Sequence, residues 1–197
     1  MKTSERVLVA ATTAFGEVGY DATSLDDLAK ELGIRKQSIL YHFPSKEQLL
    51  AASVDRAISE LVAVLDEAIE KSGNGWSRVE SIVKSVFRLA ISRPELLGLL
   101  REVTRLGPPV LTLAIDGVNP LIKGATDWMK DEMNAGRMRK SDPELVVLSI
   151  YSTVMGAATE VKLFEAIGEE QTLRGAALRR KELLRFLESA LSPKNVE

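Results

Sequence analysis

The 197-residue chain contains no cysteine and one histidine, His42. Without thiols it has no disulfides, no thiolate nucleophile and no zinc–thiolate site. With a lone imidazole it lacks the partners for a histidine metal cluster or a nucleophile–base set, which argues against an enzyme. Aromatic residues make up only 5% of the chain, while Leu, Ala and Val abound, a balance that favours helices over sheets. Neither sign of charge dominates: 26 Lys and Arg face 28 Asp and Glu, so no global basic field marks a polyanion partner. Long apolar runs are missing as well. The longest uncharged stretch, Leu145 to Thr159, includes Ser149, Tyr151, Ser152 and Thr153 and falls short of the about 20 apolar residues of a membrane span. It reads as a buried helix. The short run Val7 to Ala11 gives way to Thr12, Thr13 and Glu17, so it does not form a signal peptide. These absences fit a cytoplasmic protein without membrane association, metal or cofactor.

What is present is helical periodicity with clear punctuation. Val7, Ala11, Ala14 and Val18, with Leu8 and Phe15 beside them, share one face of a helix over 4–18 that stops at Gly19. Thr23 and Ser24 offer N-caps to a helix carrying Leu25, Leu28, Ala29 and Leu32, with Asp26 and Asp27 in its first turn and Gly33 at its end. A second short helix follows at 35–42 and is broken by Phe43-Pro44. Ser45 and Gln48 form a capping-box pattern for a long helix over 46–71. Further helices are predicted at 76–92, 94–106, 109–135, 142–167 and 171–191, separated by Gly, Pro and Asp-Pro breaks. The fold class is therefore all-α, with about nine helices.

The informative unit is the pair of short helices joined at Gly33, a helix-turn-helix arrangement whose second helix can enter a DNA major groove. Leu28, Leu32, Ile34 and Ile39 can pin the pair to the first helix. From Gly33 through Lys46 the only formal charges are Arg35, Lys36 and Lys46, all positive. Residues 1–46 are neutral overall, with six bases and six acids, but every acid precedes Gly33. The segregation of charge, rather than its total, is the nucleic-acid signal.

The stretch Ala22-Thr23-Ser24-Leu25-Asp26-Asp27-Leu28-Ala29, continued by Leu32 to Leu50 with its Tyr41-His42-Phe43-Pro44-Ser45-Lys46 core, resembles the TetR family of bacterial repressors. The resemblance implies a three-helix DNA-binding domain over residues 1–46 and a helical effector-binding and dimerisation domain over 47–197. It implies that Ser24 meets a phosphate, that Arg35, Lys36, Gln37 and Ser38 open the recognition helix towards bases or adjacent phosphates, and that Tyr41, His42 and Lys46 touch the DNA backbone. Many relatives carry Gly and Tyr where this chain has Gln37 and Leu40. Leu40 cannot donate a hydrogen bond, whereas Gln37 can read adenine through two hydrogen bonds.

Past residue 50 the resemblance is one of architecture. It implies a two-fold dimer through the last two helices, in keeping with one recognition helix per chain and two half-sites on the operator. Gly156 and Ala157 permit close helix approach, and Leu183, Phe186 and Leu187 make a stripe on the final helix. Phe87, Arg101, Trp128 and Tyr151 are candidates for an effector pocket, although aromatic residues in helical proteins are more often plain core. A small apolar or amphipathic effector is expected, because the helices beyond residue 46 are dominated by Leu, Val, Ile and Met. Two rivals stand beside a repressor released by such an effector. One is an effector-independent DNA-binding regulator of the same fold; the other is a helical carrier or enzyme in which the N-terminal motif is incidental.

Overall fold

The computed structural model describes residues 2–169 and 172–193. Among these residues there are ten helices and no strand: α1 (Thr3–Glu17), α2 (Leu25–Leu32), α3 (Lys36–His42), α4 (Lys46–Glu70), α5 (Trp76–Ser92), α6 (Pro94–Leu106), α7 (Val110–Asn134), α8 (Pro143–Thr159), α9 (Val161–Ala166) and α10 (Leu173–Leu191). The tenth arises because the helix predicted over 142–167 breaks at Glu160, whose ψ of 49° leaves the helical region. No proline or glycine marks that break; Thr159 Oγ1 bonds back to the Met155 carbonyl at the helix end instead. None of the described helices is long and apolar enough to cross a membrane.

The chain divides into two compact units. The first comprises residues 1–62 and 93–118, the second 63–92 and 119–197. In the first unit α1 buries Val7, Ala10, Ala11 and Phe15. Val18, assigned by periodicity to the same stripe, is exposed because the helix has already ended at Glu17. The heaviest packing in this unit is α1 against α6. Gly16 and Gly98 meet backbone to backbone: a Cβ on Gly16 would run into the carbonyl of Glu95, and one on Gly98 into the carbonyl of Gly16. Neither neighbour is a side chain that could swing aside. Leu96, Leu97 and Leu99 on α6 are buried around the crossing.

In the second unit α5, α8 and α10 pack on one another. Val83 and Phe87 of α5, Val154 of α8 and Leu183, Leu187 and Leu191 of α10 are buried. Glu132 on α7 is a buried carboxylate, answered by two hydrogen bonds from Arg137 at 2.7 and 2.8 Å. That guanidinium, hydrogen-bonded to it, holds the Glu132 carboxyl below its ordinary range against the opposing cost of burial. Nearby, the Arg78 guanidinium stacks 5.0 Å above the Trp128 ring.

An ordinary helix-interior glycine gains about 1 kcal/mol on replacement by alanine. At the α1–α6 crossing the sign reverses. Gly98→Ala is expected to destabilise by about 2 kcal/mol or more, because two backbones must separate to admit the methyl group. Urea denaturation would register this loss; a neutral or stabilising result would mean that the helices do not touch through Gly98.

Candidate nucleic-acid interface

The two short helices are built as their residues dictate. Ser24 caps α2, its oxygen accepting the Asp27 N–H at 3.0 Å, and Asp26 and Asp27 occupy the first turn where the helix dipole favours them. Gly33 ends the helix in the left-handed region, at φ 65° and ψ 33°. The Ile34 N–H then returns to the Ala29 carbonyl at 3.0 Å, closing the turn. A residue with a Cβ would be strained at that φ. Arg6 of α1 donates to the Leu32 carbonyl at 2.9 Å, satisfying the end of α2 from outside.

Helix α3 is held by a single fully buried anchor, Ile39. Burial of such a side chain contributes about 2 kcal/mol, and here it also fixes which residues face away. Arg35, at the N-cap position, and Gln37, Tyr41 and His42 are exposed. Lys36, Ser38 and Leu40 are half-buried. Tyr41 is 83% exposed, far beyond what a packing role would leave open, and its ring meets that of His42 edge-on at 5.1 Å. Phe43 adopts extended backbone, and Ser45 then accepts the Gln48 N–H at 3.2 Å to start α4 at Lys46. The structure thus puts Arg35, Gln37, Tyr41 and His42 on open surface of one helix and places Lys46 at the next helix start.

Two of the candidate contacts are already engaged within the chain. The Ser24 hydroxyl donates to the Asp27 carboxylate as well as capping α2. The Lys36 ammonium lies 2.7 Å from Asp26 Oδ2. Helical periodicity could not show this pairing, which joins residues ten apart on two helices.

Several supporting residues also escape sequence reasoning because they act across elements. The connector between α1 and α2 is held from α6. Glu102 accepts the Tyr20 backbone N–H at 2.7 Å, and Arg105 bridges Glu102 and Asp21, each at 2.8 Å. The hydrogen bonds from Arg105, and after them the Tyr20 amide, hold the Glu102 carboxyl below its usual range. The Tyr20 phenol donates to Glu47 at 3.1 Å, and the Lys46 ammonium lies 4.2 Å from the Tyr20 ring centroid.

The residues suggested for an effector pocket fall in both compact units. Arg101 belongs to the first compact unit, whereas Phe87, Trp128 and Tyr151 belong to the second. Phe87 is buried, Trp128 is covered by Arg78 and Tyr151 is 51% exposed. A shallow cleft of about 170 Å³ in the second unit is lined by Lys130, Met133, Asn134, Lys140, Ser141 and Pro143, and none of the four lines it. On α8 and α10, Gly156 and Ala157 are half-buried, Leu183 and Leu187 turn into the chain's own core, and Phe186 is 61% exposed.

Residues 7–53 match the family described as bacterial regulatory proteins, tetR family. A biofilm-operon negative transcriptional regulator from Staphylococcus epidermidis, IcaR, is 36% identical over 61 residues, which is 31% of this chain and 33% of that protein. The chain therefore matches only about a third of the length of this curated relative. Solved structures extend the likeness of fold over nearly the whole chain. The ketosteroid transcriptional regulator KstR2 of Mycobacterium tuberculosis superposes with a TM-score of 0.77 at 20% identity, covering 98% of this chain and 97% of its own. The regulator FadR of Bacillus subtilis, solved with stearoyl-CoA, does so with a TM-score of 0.78 at 16% identity, covering 94% and 98%. Residues 7–53 thus carry the N-terminal region described for the tetR family, and the chain as a whole shares the fold of these solved regulators.

Proposed function

We propose that this chain is a TetR-type transcriptional regulator, acting as a repressor, that binds an operator in double-stranded DNA as a homodimer and is released by a small apolar or amphipathic effector. The observation that carries the reading is the open face of α3, where Arg35, Gln37, Tyr41 and His42 stand exposed around a helix pinned by Ile39. The matched family and a relative described as a negative regulator support the same assignment. Residues 1–46 form the DNA-binding domain and 47–197 the effector-binding and dimerisation domain. Arg35, Lys36, Gln37 and Ser38 face base edges or nearby phosphates, Lys36 on leaving Asp26; Ser24, Tyr41, His42 and Lys46 meet the DNA backbone. The protein works by binding, without catalysis, in the cytoplasm.

Dimerisation uses α8 and α10. Leu145, Leu148, Leu178 and Phe186 on these helices are each more than half exposed, a costly arrangement for a lone chain. Effector control is a population shift. An effector that prefers the conformation unable to span two half-sites weakens DNA binding, and DNA weakens effector binding by the same factor. The effector pocket is drawn from the helices of residues 47–197, with Phe87, Arg101, Trp128 and Tyr151 as its candidate contacts.

DNA binding is tested by fluorescence anisotropy on a labelled duplex selected from random sequence. Affinity is expected to fall steeply between 50 and 200 mM salt, each phosphate contact adding about 0.9 to the log–log slope. Gln37→Ala should flatten the preference at one or two base pairs; binding without salt dependence would refute the reading. In the same assay Asp26→Asn frees Lys36 and removes a negative charge beside it, so affinity for random DNA is expected to rise severalfold. A fall would mean that Asp26 aids binding. For the dimer, Phe186→Glu is expected to shift the sedimenting species towards monomer while the circular dichroism melt stays cooperative; an unchanged mass would place the interface elsewhere.

A further inference from the structure

Tyr20 lies outside the helix-turn-helix proper, yet more contacts converge on it than on any residue of the recognition helix described above. Its ring packs against Phe15 of α1 with centroids 5.6 Å apart. Its backbone N–H is fixed by Glu102 of α6 at 2.7 Å. Its phenol donates to Glu47, and its face carries the Lys46 ammonium at 4.2 Å from the centroid. Lys46 and Glu47 are the first two residues of α4. Burial, with Glu47 as acceptor second, pushes the phenol up to about 12, so it remains a donor at any physiological pH.

The geometry points to a role for Tyr20 as the positioning residue of the Lys46–phosphate contact. The inference rests on the reading of Lys46 as a DNA-backbone contact. A lysine ammonium rides on a flexible four-carbon stem, and ordering it at the moment of binding is entropically expensive. The electron-rich face of Tyr20 seats the ammonium in advance. The Glu47 hydrogen bond and the Phe15 ring both hold the Tyr20 ring in place. Because the ring neither neutralises nor buries the charge, Lys46 keeps its attraction for phosphate while losing conformational freedom. Lys46 thus differs from Lys36, which is in direct contact with the Asp26 carboxylate, although Glu47 lies within electrostatic reach of Lys46.

A double-mutant cycle between Tyr20→Leu and Lys46→Gln, read as operator affinity against salt, tests this role. Lys46→Gln should reduce the magnitude of the salt slope by about 0.9. Tyr20→Leu should weaken binding about three- to fivefold while leaving the slope unchanged, the size expected of one exposed cation–π contact. In the Lys46→Gln background Tyr20→Leu should cost nothing further. An equal cost in both backgrounds, or none in either, overturns the proposal, since a packing role would not depend on Lys46. Tyr20→Phe keeps the ring and should retain most of the affinity. Should Tyr20→Leu fail to fold, the Lys46 ε-methylene proton shifts of the unliganded wild type decide. Upfield displacement by the ring supports the seat, and random-coil values overturn it. Wild-type protein that fails to bind DNA in a salt-dependent way would instead remove the underlying reading, a result separable from a failed cycle.

Discussion

The bare contact between Gly16 and Gly98 is the constraint on which the helix-turn-helix unit depends. Two helices can approach until their backbones touch only where neither carries a side chain, and here both vacancies coincide. With α6 drawn this close, Glu102 and Arg105 near its far end reach the connector that follows α1. That connector fixes Tyr20, and Tyr20 in turn touches the start of α4. On its other side α1 supplies Arg6 to the end of α2. Helix α6 is thus a structural member of the unit that holds the recognition helix, although some fifty residues separate the two in sequence. A seven-residue helix such as α3 is far too short to persist alone, so its shape is borrowed from these neighbours.

Electrostatics at this unit are local and uneven. A chain of net charge −2 can approach a polyanion only if its acids are kept away from the contact face or answered there. Four acids of the unit are answered. Asp21 and Glu102 share Arg105, Glu47 takes hydrogen bonds from Ser45 and Tyr20, and Asp26 takes Lys36. These exposed pairs add little to stability. Their effect is on the field that a phosphate would meet: bases left open at Arg35 and Lys46, these four acids occupied.

Much of this was legible in the residues themselves. Helix ends follow local chemistry, so Ser24, Gly33, Ser45 and Asp142 marked boundaries that the structure keeps within a residue or two. Ile39 was recognisable as an anchor because, with Leu28, Leu32 and Ile34, it gives the helix pair an apolar side. Contacts between elements were opaque, for a physical reason. A helix-interior glycine reads from sequence as a cost, and only the opposing glycine turns it into a contact. The same holds for the Lys36–Asp26 pair and for the seat of Lys46. The break at Glu160 has no residue signature at all, and the stripe on α10 divides between inside and outside, with Leu183 and Leu187 turned in and Phe186 turned out. Periodicity names a stripe without saying which edge of it the core will take.

The pairing of Lys36 with Asp26 carries a consequence at the scale of a genome. A regulator meets its operator among about a million or more competing sites, and its occupancy follows the ratio of specific to unspecific affinity. A lysine open to every phosphate strengthens both equally and leaves more of the protein idling on the wrong sequences. A lysine already held by a carboxylate must leave that partner before it can serve a phosphate, and the cost is recovered only where the neighbouring bases also fit. In the regulatory reading, one exposed ion pair lowers the background against which the operator is found.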